Sequence, residues 1–388
     1  MRARVSSRFR PALSRGGRRK VLLAVTVLTG AVMTTGALFP PVASAARPDA
    51  VQKSLNALVS EDGMPAALAS VGDRGGRMRS YAAGVGDLGT GAKVPVDGQV
   101  RAGSNTKAFT AVVVLQLVAE KKVVLDGPVD TYLPGLLRGE GIDGRHITVR
   151  QLLQHTSGLP DYVDQRAILG DPQRYYEPRE LLDGALKQKA HFSPGAKWEY
   201  SNTNYLVAGL IIQKVTGRPL GEEINRRVVD RIGLRHTYFP TPGDMTIREP
   251  HPKGYHRDSA DSPWREITEL DPSWGWAAGA VISTNSDLNR FYTALLGGKL
   301  LPPAQLAQMR TTVPAEAFGP GVRYGLGLAS TPLPCGGSYW GHGGTIPGYI
   351  TLGGVTEGGR AVNIALTAIP TDTAAQHART AVETTLCR

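Results

Sequence analysis

A serine and a lysine stand three residues apart at the start of a strongly apolar segment of this 388-residue chain. Ser104 and Lys107 would share one face of a helix, because residues at i and i+3 lie on the same side. The run that follows, 108–118, is mostly apolar, which is typical of a buried helix. Burial disfavours the charged form of a lysine, so a neutral Lys107 could accept the Ser104 proton near neutral pH. The pair predicts a nucleophile with its base; the plainer interpretation is an N-capping serine and a solvated lysine.

A second polar pair, Tyr200 and Asn202, lies between a Ser-Pro-Gly turn at 193–195 and an apolar segment. In extended backbone, residues i and i+2 point the same way, so both side chains could face one cleft. A tyrosine beside a lysine can relay protons, and an asparagine can hold both the lysine and a substrate amide. An ordinary capping and turn segment is the plainer interpretation here.

A lone histidine, His342, stands in a glycine-rich strand and is followed by Gly343, Gly344 and Thr345. Glycines inside a strand often mark where a ligand lies close to the backbone. An edge strand of this kind could bind an extended acyl or peptidyl group by strand addition, with the backbone amides of Ser104 and Thr345 forming an oxyanion hole. The plainer interpretation is a structural histidine beside a turn.

The elements around these residues predict an α/β architecture combined with an all-α part. Apolar or alternating runs at both ends of the chain predict strands at 66–71, 77–85, 324–328, 338–342, 349–353 and 360–368. We expect one antiparallel sheet of about five strands, flanked by amphipathic helices at 50–59 and 372–386. The mainly helical pattern between the two groups of strands predicts a large helical insertion.

Without the first 45 residues the chain still exceeds the usual size of a single core, so we expect one large domain or two intimately packed ones. We predict that residues 46–121 and 273–388 form the α/β sheet domain. Residues 122–272 would form the helical domain.

The first residues have the pattern of an export signal. Eight basic side chains between Arg2 and Lys20 precede an apolar stretch, 21–39, and a small-residue site at 43–45. This order predicts a secreted protein that is cleaved near Ala45; an uncleaved membrane anchor is the alternative. The paired arginines at 18–19 are compatible with twin-arginine export.

Charge and cysteine content exclude several classes of protein. Removing the eight basic leader residues from the formal charge of +11 leaves +3, and no basic stripe with interleaved aromatics remains, so we expect no nucleic-acid partner. Cys335 and Cys387 would pair in an oxidising destination; two buried free thiols are the alternative. No Cys or His cluster has the spacing of metal ligands, so we expect no metal site.

Three motifs occur in the order S-x-x-K at 104–107, Y-x-N at 200–202 and H-x-G at 342–344. Together they resemble the active-site set of the penicillin-recognising serine hydrolases. The resemblance covers nearly the whole mature chain and is closest to the secreted serine D-alanyl-D-alanine carboxypeptidases of actinomycetes, within the class C beta-lactamase-like superfamily. Other resembling segments are 113–117, 131–136, 155–159, 278–283 and 324–328.

The resemblance implies a beta-lactamase/transpeptidase-like fold and an acyl-enzyme mechanism on peptidoglycan stem peptides. Ser104 would attack the carbonyl between two D-alanines, and water would resolve the acyl-enzyme. Lys107 and Tyr200 would share the role of base, and which one takes the serine proton is left open. Asn202 would orient the acyl amide, and His342 would complete the proton network where relatives carry lysine.

The same resemblance implies further positions and ligands. Trp274 matches a cleft-lining tryptophan, although Trp276 competes for that part. Gly343, Gly344 and Thr345 would contact substrate. Beta-lactams would acylate the site, and the chemistry would need no cofactor. Apart from the resemblance, we expect a monomer. In the carboxypeptidase group the positions of Cys335 and Cys387 carry a disulfide.

The sequence departs from the pattern where relatives bind the substrate's terminal carboxylate. Relatives use an arginine shortly before the first cysteine and a threonine inside the H-T-G motif, whereas this chain has Ala329–Thr331 and Gly343. Thr345 and Thr331 remain as hydrogen-bonding groups; Arg323 either supplies charge or is a solvated turn residue. A D-aminoacyl peptidase, amidase, esterase or beta-lactamase is therefore the alternative to a carboxypeptidase. A non-catalytic wall-binding protein is disfavoured because every motif residue is present.

Overall fold

A computed structural model describes residues 49–259 and 261–388 of the chain. The described residues form one compact unit. The predicted export signal, 1–45, lies outside the described residues, so its cleavage and the extracellular destination stay predictions. Over the part of the chain that the structure describes, no helix is both long and apolar enough to cross a membrane.

Twelve α-helices occur in the described residues, and most of them lie between the two groups of strands. They are α1 Ala50–Ser60, α2 Thr106–Ala119, α3 Val149–Gln154, α4 Gln165–Gly170, α5 Pro178–Leu186, α6 Asn202–Thr216, α7 Leu220–Ile224, α8 Asp230–Ile232, α9 Trp276–Gly279, α10 Asn285–Leu296, α11 Pro303–Met309 and α12 Asp372–Leu386. A π-helical stretch, Asn225–Val229, joins α7 to α8. Short 3-10 turns occur at Gly103–Asn105, Val129–Thr131, Pro272–Trp274 and Glu316–Phe318.

Sixteen strands occur in the same residues, and ten of them form one antiparallel sheet. They are β1 Ala66–Gly72, β2 Met78–Asp87, β3 Ala92–Lys93, β4 Val100–Arg101, β5 Arg138–Gly139, β6 Ile142–Asp143, β7 Tyr255–His256, β8 Arg265–Glu266, β9 Ile282–Ser283, β10 Val313–Pro314, β11 Arg323–Tyr324, β12 Ala329–Pro332, β13 Ser338–Gly341, β14 Gly344–Ile346, β15 Tyr349–Thr356 and β16 Ala361–Leu366. The order across the sheet is β10-β11-β12-β13-β15-β16-β1-β2-β3, with β14 also paired to β15.

The sheet lies between two layers of helices. Helices α1 and α12 share one hydrophobic cluster with β1 and β16 on one face, and α10 contacts β1 and β16 on the other face. Strand β1 is buried on both sides, which explains its continuous apolar run Ala66–Ala69 in place of strict alternation. The predicted α/β fold with an antiparallel sheet flanked by helices is confirmed.

Two details of the sheet differ from the prediction. Two-residue strands such as β3, β10 and β11 extend the sheet beyond about five strands, and they are too short to show a period-two pattern in sequence. The predicted strand 324–328 is wrong apart from Tyr324. Its glycines bend the chain: Gly327 has φ +73°, and a Cβ at Gly325 would lie 2.1 Å from the Met309 carbonyl oxygen.

The predicted division into a sheet domain and a helical domain stays a prediction. Helices α2 and α10, which the prediction placed with the sheet, share one large hydrophobic cluster with α6. In α2, Thr106–Leu117 are all buried. The start of α2 therefore lies between the helices of this large cluster and the sheet. There β14 contacts the 3-10 turn at Gly103–Asn105.

Candidate active site

The nucleophile candidate lies in the 3-10 turn that leads into α2. Ser104 precedes Lys107 by one helical turn, and Lys107 Nζ lies 2.9 Å from Ser104 Oγ. The same nitrogen donates to Asn202 Oδ1 at 2.7 Å and to the Ala278 carbonyl oxygen at 2.9 Å. Both of these oxygens can only accept a hydrogen bond. A neutral Lys107 amine would donate its two hydrogens to them, which leaves its lone pair directed toward Ser104 Oγ. This is the geometry of a general base.

The protonation of Lys107 is set by burial against one carboxylate. Burial of the side chain lowers the pKa of Lys107 from 10.5 to about 7, and the charge of Asp161 opposes this shift. A substantial fraction of the amine is therefore neutral at neutral pH. The solvated lysine of the plainer interpretation is excluded, because Lys107 has no exposed surface.

Tyr200 lies directly before α6 and faces the same nitrogen. The centre of its ring is 4.8 Å from Lys107 Nζ, and its hydroxyl faces Ser104. Burial raises the pKa of Tyr200 well above its ordinary value, so the hydroxyl is protonated at working pH and can pass a proton between oxygen and nitrogen.

Asn202 is the first residue of α6 and not part of an extended strand, yet its side chain reaches the same point as Tyr200. Its Nδ2 donates to Asp161 Oδ2 at 2.8 Å, and its backbone amide donates to Asp161 Oδ1 at 3.2 Å. Because Nδ2 is held by the carboxylate, Oδ1 must face Lys107. Asp161 thus fixes which way the amide points.

His342 lines the cleft, but its ring nitrogens have other partners. Nδ1 lies 2.5 Å from the Gly343 carbonyl oxygen, which can only accept, so Nδ1 carries the proton. Nε2 then accepts from the Tyr324 hydroxyl at 2.9 Å. Burial and the nearby charge of Lys107 lower the pKa of His342 to about 3. The His342 ring is neutral, and both of its nitrogens are hydrogen-bonded to groups other than Ser104 and Lys107. Its predicted role in the proton network stays a prediction.

Strand β14 brings a second backbone amide to the nucleophile. A Cβ on Gly103 would lie 3.0 Å from the amide nitrogen of Thr345, and one on Gly344 would lie 1.9 Å from the Ala102 carbonyl oxygen. Ile346 pairs with Tyr349 around a two-residue turn, so the neighbouring Thr345 is a non-hydrogen-bonded position of the hairpin. Its N–H therefore points away from β15, as an oxyanion donor must.

A cleft of about 530 Å³ opens beside these groups. It is lined by all the predicted site residues except the buried Lys107: Ser104, Tyr200, Asn202, Trp274, His342, Gly343, Gly344 and Thr345. Trp276 is instead in the core, where its ring packs against Gly209. Of the two tryptophans, Trp274 is therefore the one that lines the cleft.

The part of the cleft where the resemblance expects a substrate carboxylate carries little charge. Ala329 and Thr331 line the cleft, whereas Arg323 does not, and its guanidinium donates to the backbone oxygen of Thr312 at 2.9 Å. Among the described residues that line the cleft, Arg379 on α12 is the one lysine or arginine. Its guanidinium donates to the Gln376 side chain at 2.9 Å.

Cys335 and Cys387 form a disulfide that ties the end of α12 to the loop before β13. This pairing agrees with the prediction. It holds α12 against the face of the sheet that also packs on α1.

Sequence reasoning missed the residues that support this site: Asp161, His155 and Tyr324. The segment 155–159 belongs to the resemblance, but no spacing rule connects it with Tyr200 or Asn202, more than 40 positions later. A signal was present in Asp161 itself, an acidic residue directly after a short apolar Leu-Pro pair. Such a residue is placed beside its partner only by the tertiary fold.

Comparisons with known proteins show which structures and sequences the whole chain resembles. A D-stereospecific amidohydrolase from Streptomyces sp. superposes with a TM-score of 0.79 at 40% identity, covering 86% of this chain and 98% of that chain. The D-amino acid amidase from Ochrobactrum anthropi SV3, complexed with L-phenylalanine amide, gives 0.76 at 26% identity with the same coverage. Penicillin-binding protein 4* of Bacillus subtilis is 27% identical over 261 residues, which are 64% of this chain and 56% of that protein.

The chain spans 60% or less of the length of the first curated relatives that it matches. The profile of the Beta-lactamase family matches residues 51–385, which is nearly the whole described chain. The chain therefore belongs to the beta-lactamase family of serine hydrolases.

Proposed function

We propose that this protein is a D-stereospecific amidohydrolase that cleaves amide or peptide bonds on the carbonyl side of a D-amino acid. Ser104 Oγ attacks the acyl carbonyl while its proton passes to Lys107 Nζ. The oxygen of the tetrahedral intermediate is stabilised by the amides of Ser104 and Thr345. Tyr200 carries the proton on to the leaving amine, the C–N bond breaks, and water then hydrolyses the acyl-enzyme.

One observation carries the choice of an amidohydrolase over a carboxypeptidase. The cleft wall at Ala329, Thr331 and Gly343 holds no cation, and Arg323 is bonded elsewhere. A leaving group that ends in a carboxylate needs a charged partner to replace the water around that carboxylate. Ammonia, or an amine without a carboxylate, does not. The amidohydrolase from Streptomyces sp. at 40% identity supports the same choice.

The test compares matched substrates and one variant. The mature protein is incubated with the amide of a D-amino acid, with its L enantiomer and, in parallel, as the Ser104→Ala variant. We expect hydrolysis of the D-amide, at least about tenfold slower hydrolysis of the L-amide, and none by the variant. Equal rates with both enantiomers would contradict the stereochemical part. Equal rates for wild type and variant would show that Ser104 is not the nucleophile.

A D-alanyl-D-alanine carboxypeptidase acting on peptidoglycan stem peptides is the second candidate. Arg379 favours it, since it is a cation in the cleft wall, and Thr345 and Thr331 can hydrogen-bond a carboxylate. A diacyl-Lys-D-Ala-D-Ala peptide and the same peptide with a C-terminal carboxamide separate the candidates. Faster release from the free acid would favour the carboxypeptidase, and faster release from the carboxamide the amidohydrolase. Beta-lactams are proposed acylating ligands of either enzyme, detected as a mass adduct on Ser104.

The place of action is proposed from the leader alone. Residues 1–45 would direct export and be removed near Ala45, which suits substrates of the cell wall or its surroundings. Amino-terminal sequencing of the protein recovered from culture medium tests this. A protein that keeps its leader and stays with the cells would contradict it. The expected monomer is likewise a proposal, tested by the mass in solution.

A further inference from the structure

A fully buried histidine lies behind the proposed active site and belongs to none of the three motifs. His155 has no exposed surface and ends α3 in the left-handed conformation, with φ +59°. This conformation is unfavourable for a residue other than glycine or asparagine by about 1 kcal/mol or more. A histidine at such a position therefore needs a reason in its side-chain contacts.

The contacts of His155 bracket Tyr200. The backbone amide of Glu199 donates to the His155 carbonyl oxygen at 3.0 Å, and the backbone amide of Ser201 donates to its Nδ1 at 3.3 Å. One residue thus holds the chain on both sides of Tyr200. Its ring also lies against that tyrosine, with 4.4 Å between the ring centres.

The ring of His155 is itself fixed in one tautomer. Nδ1 accepts from the Ser201 amide and lies 3.1 Å from Asn204 Nδ2, so the proton is on Nε2. Nε2 has no hydrogen-bond acceptor among the described residues and points into a cluster of aromatic rings, including Tyr205 and Tyr324. A protonated ring would leave two buried donors without acceptors. The ring is consequently a neutral packing and accepting group and does not carry protons.

We propose that His155 is a positioning residue, which acts through Tyr200 by holding its ring over Lys107 and its hydroxyl at Ser104. This inference rests on the proposed acyl-enzyme chemistry. Tyr200 is held from behind by His155, while its ring centre is 4.8 Å from Lys107 Nζ in front. A shift of the ring by about 1 Å would misplace the hydroxyl that relays the proton, at a cost of up to about 100-fold in rate.

The test is a double-mutant cycle with a readout that needs no specific substrate. A phosphonyl fluoride reacts with an activated serine: the Oγ–P bond forms, fluoride leaves, and the proton goes to the base. His155→Asn keeps an oxygen acceptor and tolerates the left-handed conformation, but loses the ring. We expect it to slow the modification of Ser104 about 10-fold to 100-fold in the wild-type background. In the Tyr200→Phe background we expect a change of less than about twofold.

A second variant and a control guard against mere loss of stability. Asn204→Ala removes one partner of His155 Nδ1 and should slow the reaction less, again only when Tyr200 is present. Gln154 directly precedes His155, and Gln154→Ala removes its part-buried hydrogen bond to the Thr311 carbonyl oxygen. This control should lower the unfolding midpoint without slowing the reaction. Equal slowing by His155→Asn in both backgrounds, or no slowing at all, would overturn the proposal. The result stands whether or not D-amino-acid amides are the substrate.

Discussion

The carboxylate of Asp161 and the side-chain amide of Asn202 are joined by a hydrogen bond of 2.8 Å between Oδ2 and Nδ2. The bond turns Asn202 Oδ1 toward Lys107 Nζ, which donates to it at 2.7 Å. The carboxylate also places a negative charge near the amine, which opposes the effect of burial on the pKa of Lys107. One acidic residue, outside all three motifs, thus sets both the orientation of a neighbour and the protonation of the base.

Replacing Asp161 by asparagine should shift the pH profile of acylation. The variant keeps an oxygen that can accept from Asn202 but removes the charge. Loss of that charge lowers the pKa of Lys107 below its value of about 7, so more of the amine is neutral at acidic pH. The acidic limb of kcat/KM against pH should therefore move to lower pH.

The matched control is Asp164→Asn, three positions along the same loop. The Asp164 side chain accepts from the backbone amides of Arg166 and Ala167 and caps α4. It should leave the acidic limb in place. If the acidic limb of the Asp161→Asn profile stays in place or moves to higher pH, that limb does not report the protonation of Lys107.

Gly344, the first residue of β14, and Gly343 directly before it should respond differently to an added methyl group. A Cβ at Gly344 would lie 1.9 Å from the Ala102 carbonyl oxygen and 2.7 Å from Thr351 Oγ1, whereas the nearest atom to a Cβ at Gly343 is 3.5 Å away. Gly344→Ala must push β14 away from the turn that carries Ser104. We expect a loss of about 1–3 kcal/mol in stability and at least about 100-fold in acylation rate. Gly343→Ala should stay within about 0.5 kcal/mol of wild type in stability and within about twofold in acylation rate.

Denaturant unfolding and the burst of a nitrophenyl ester measure the two effects. A Gly344→Ala protein with unchanged burst kinetics would show that the Thr345 amide does not bind the oxyanion. Loss of both properties in Gly343→Ala would show that the strand needs glycine there for a reason other than space.

Sequence patterns predict the parts of this protein that depend on local periodicity. Ser104 and Lys107 meet because i and i+3 share a helix face, and strands such as β1 and β15 are long enough to show apolar patterns. The bend at Gly327 was missed because a left-handed glycine inside an apolar run resembles a strand residue. The Asp161–Asn202 and Tyr324–His342 bonds join segments that only the tertiary fold brings together. No single-sequence pattern contains such partners.

Restoring a hydroxyl at position 343 should change the choice of leaving group. Gly343 lies exposed in the cleft wall, where relatives of the carboxypeptidase group carry threonine. A hydrogen bond to a charged carboxylate contributes about 1.5–3 kcal/mol, so Gly343→Thr should raise kcat/KM for peptides with a free terminal carboxylate by about tenfold. The same peptides with a terminal carboxamide should gain little.

The ratio of the two kcat/KM values is the measurement, and Gly343→Ala is the control for added bulk alone. An equal gain for acid and carboxamide would mean that the hydroxyl does not contact the leaving group. A loss for both would mean that the threonine blocks the cleft.

Lys107→Met should remove activity, and its stability relative to wild type should depend on pH. Burial holds the pKa of Lys107 at about 7 in the folded protein, against 10.5 ordinarily. Below pH 7 the lysine is charged in both states, so the folded wild type carries the full cost of a buried charge. Methionine removes this cost but leaves the oxygens of Asn202 and Ala278 without their donor, so the variant is most stable relative to wild type at pH 6 and below.

Between pH 7 and about 10 the unfolded chain binds a proton that the folded chain does not, so the unfolding free energy of wild type rises with pH. The methionine variant has no such group, so its stability relative to wild type should fall across this window, by up to about 1.4 kcal/mol per pH unit. Urea unfolding of both proteins at pH 6 and pH 9 gives the difference directly. A difference that stays constant or grows with pH would mean that Lys107 is charged in the folded protein throughout, and would remove it as the base that takes the proton of Ser104.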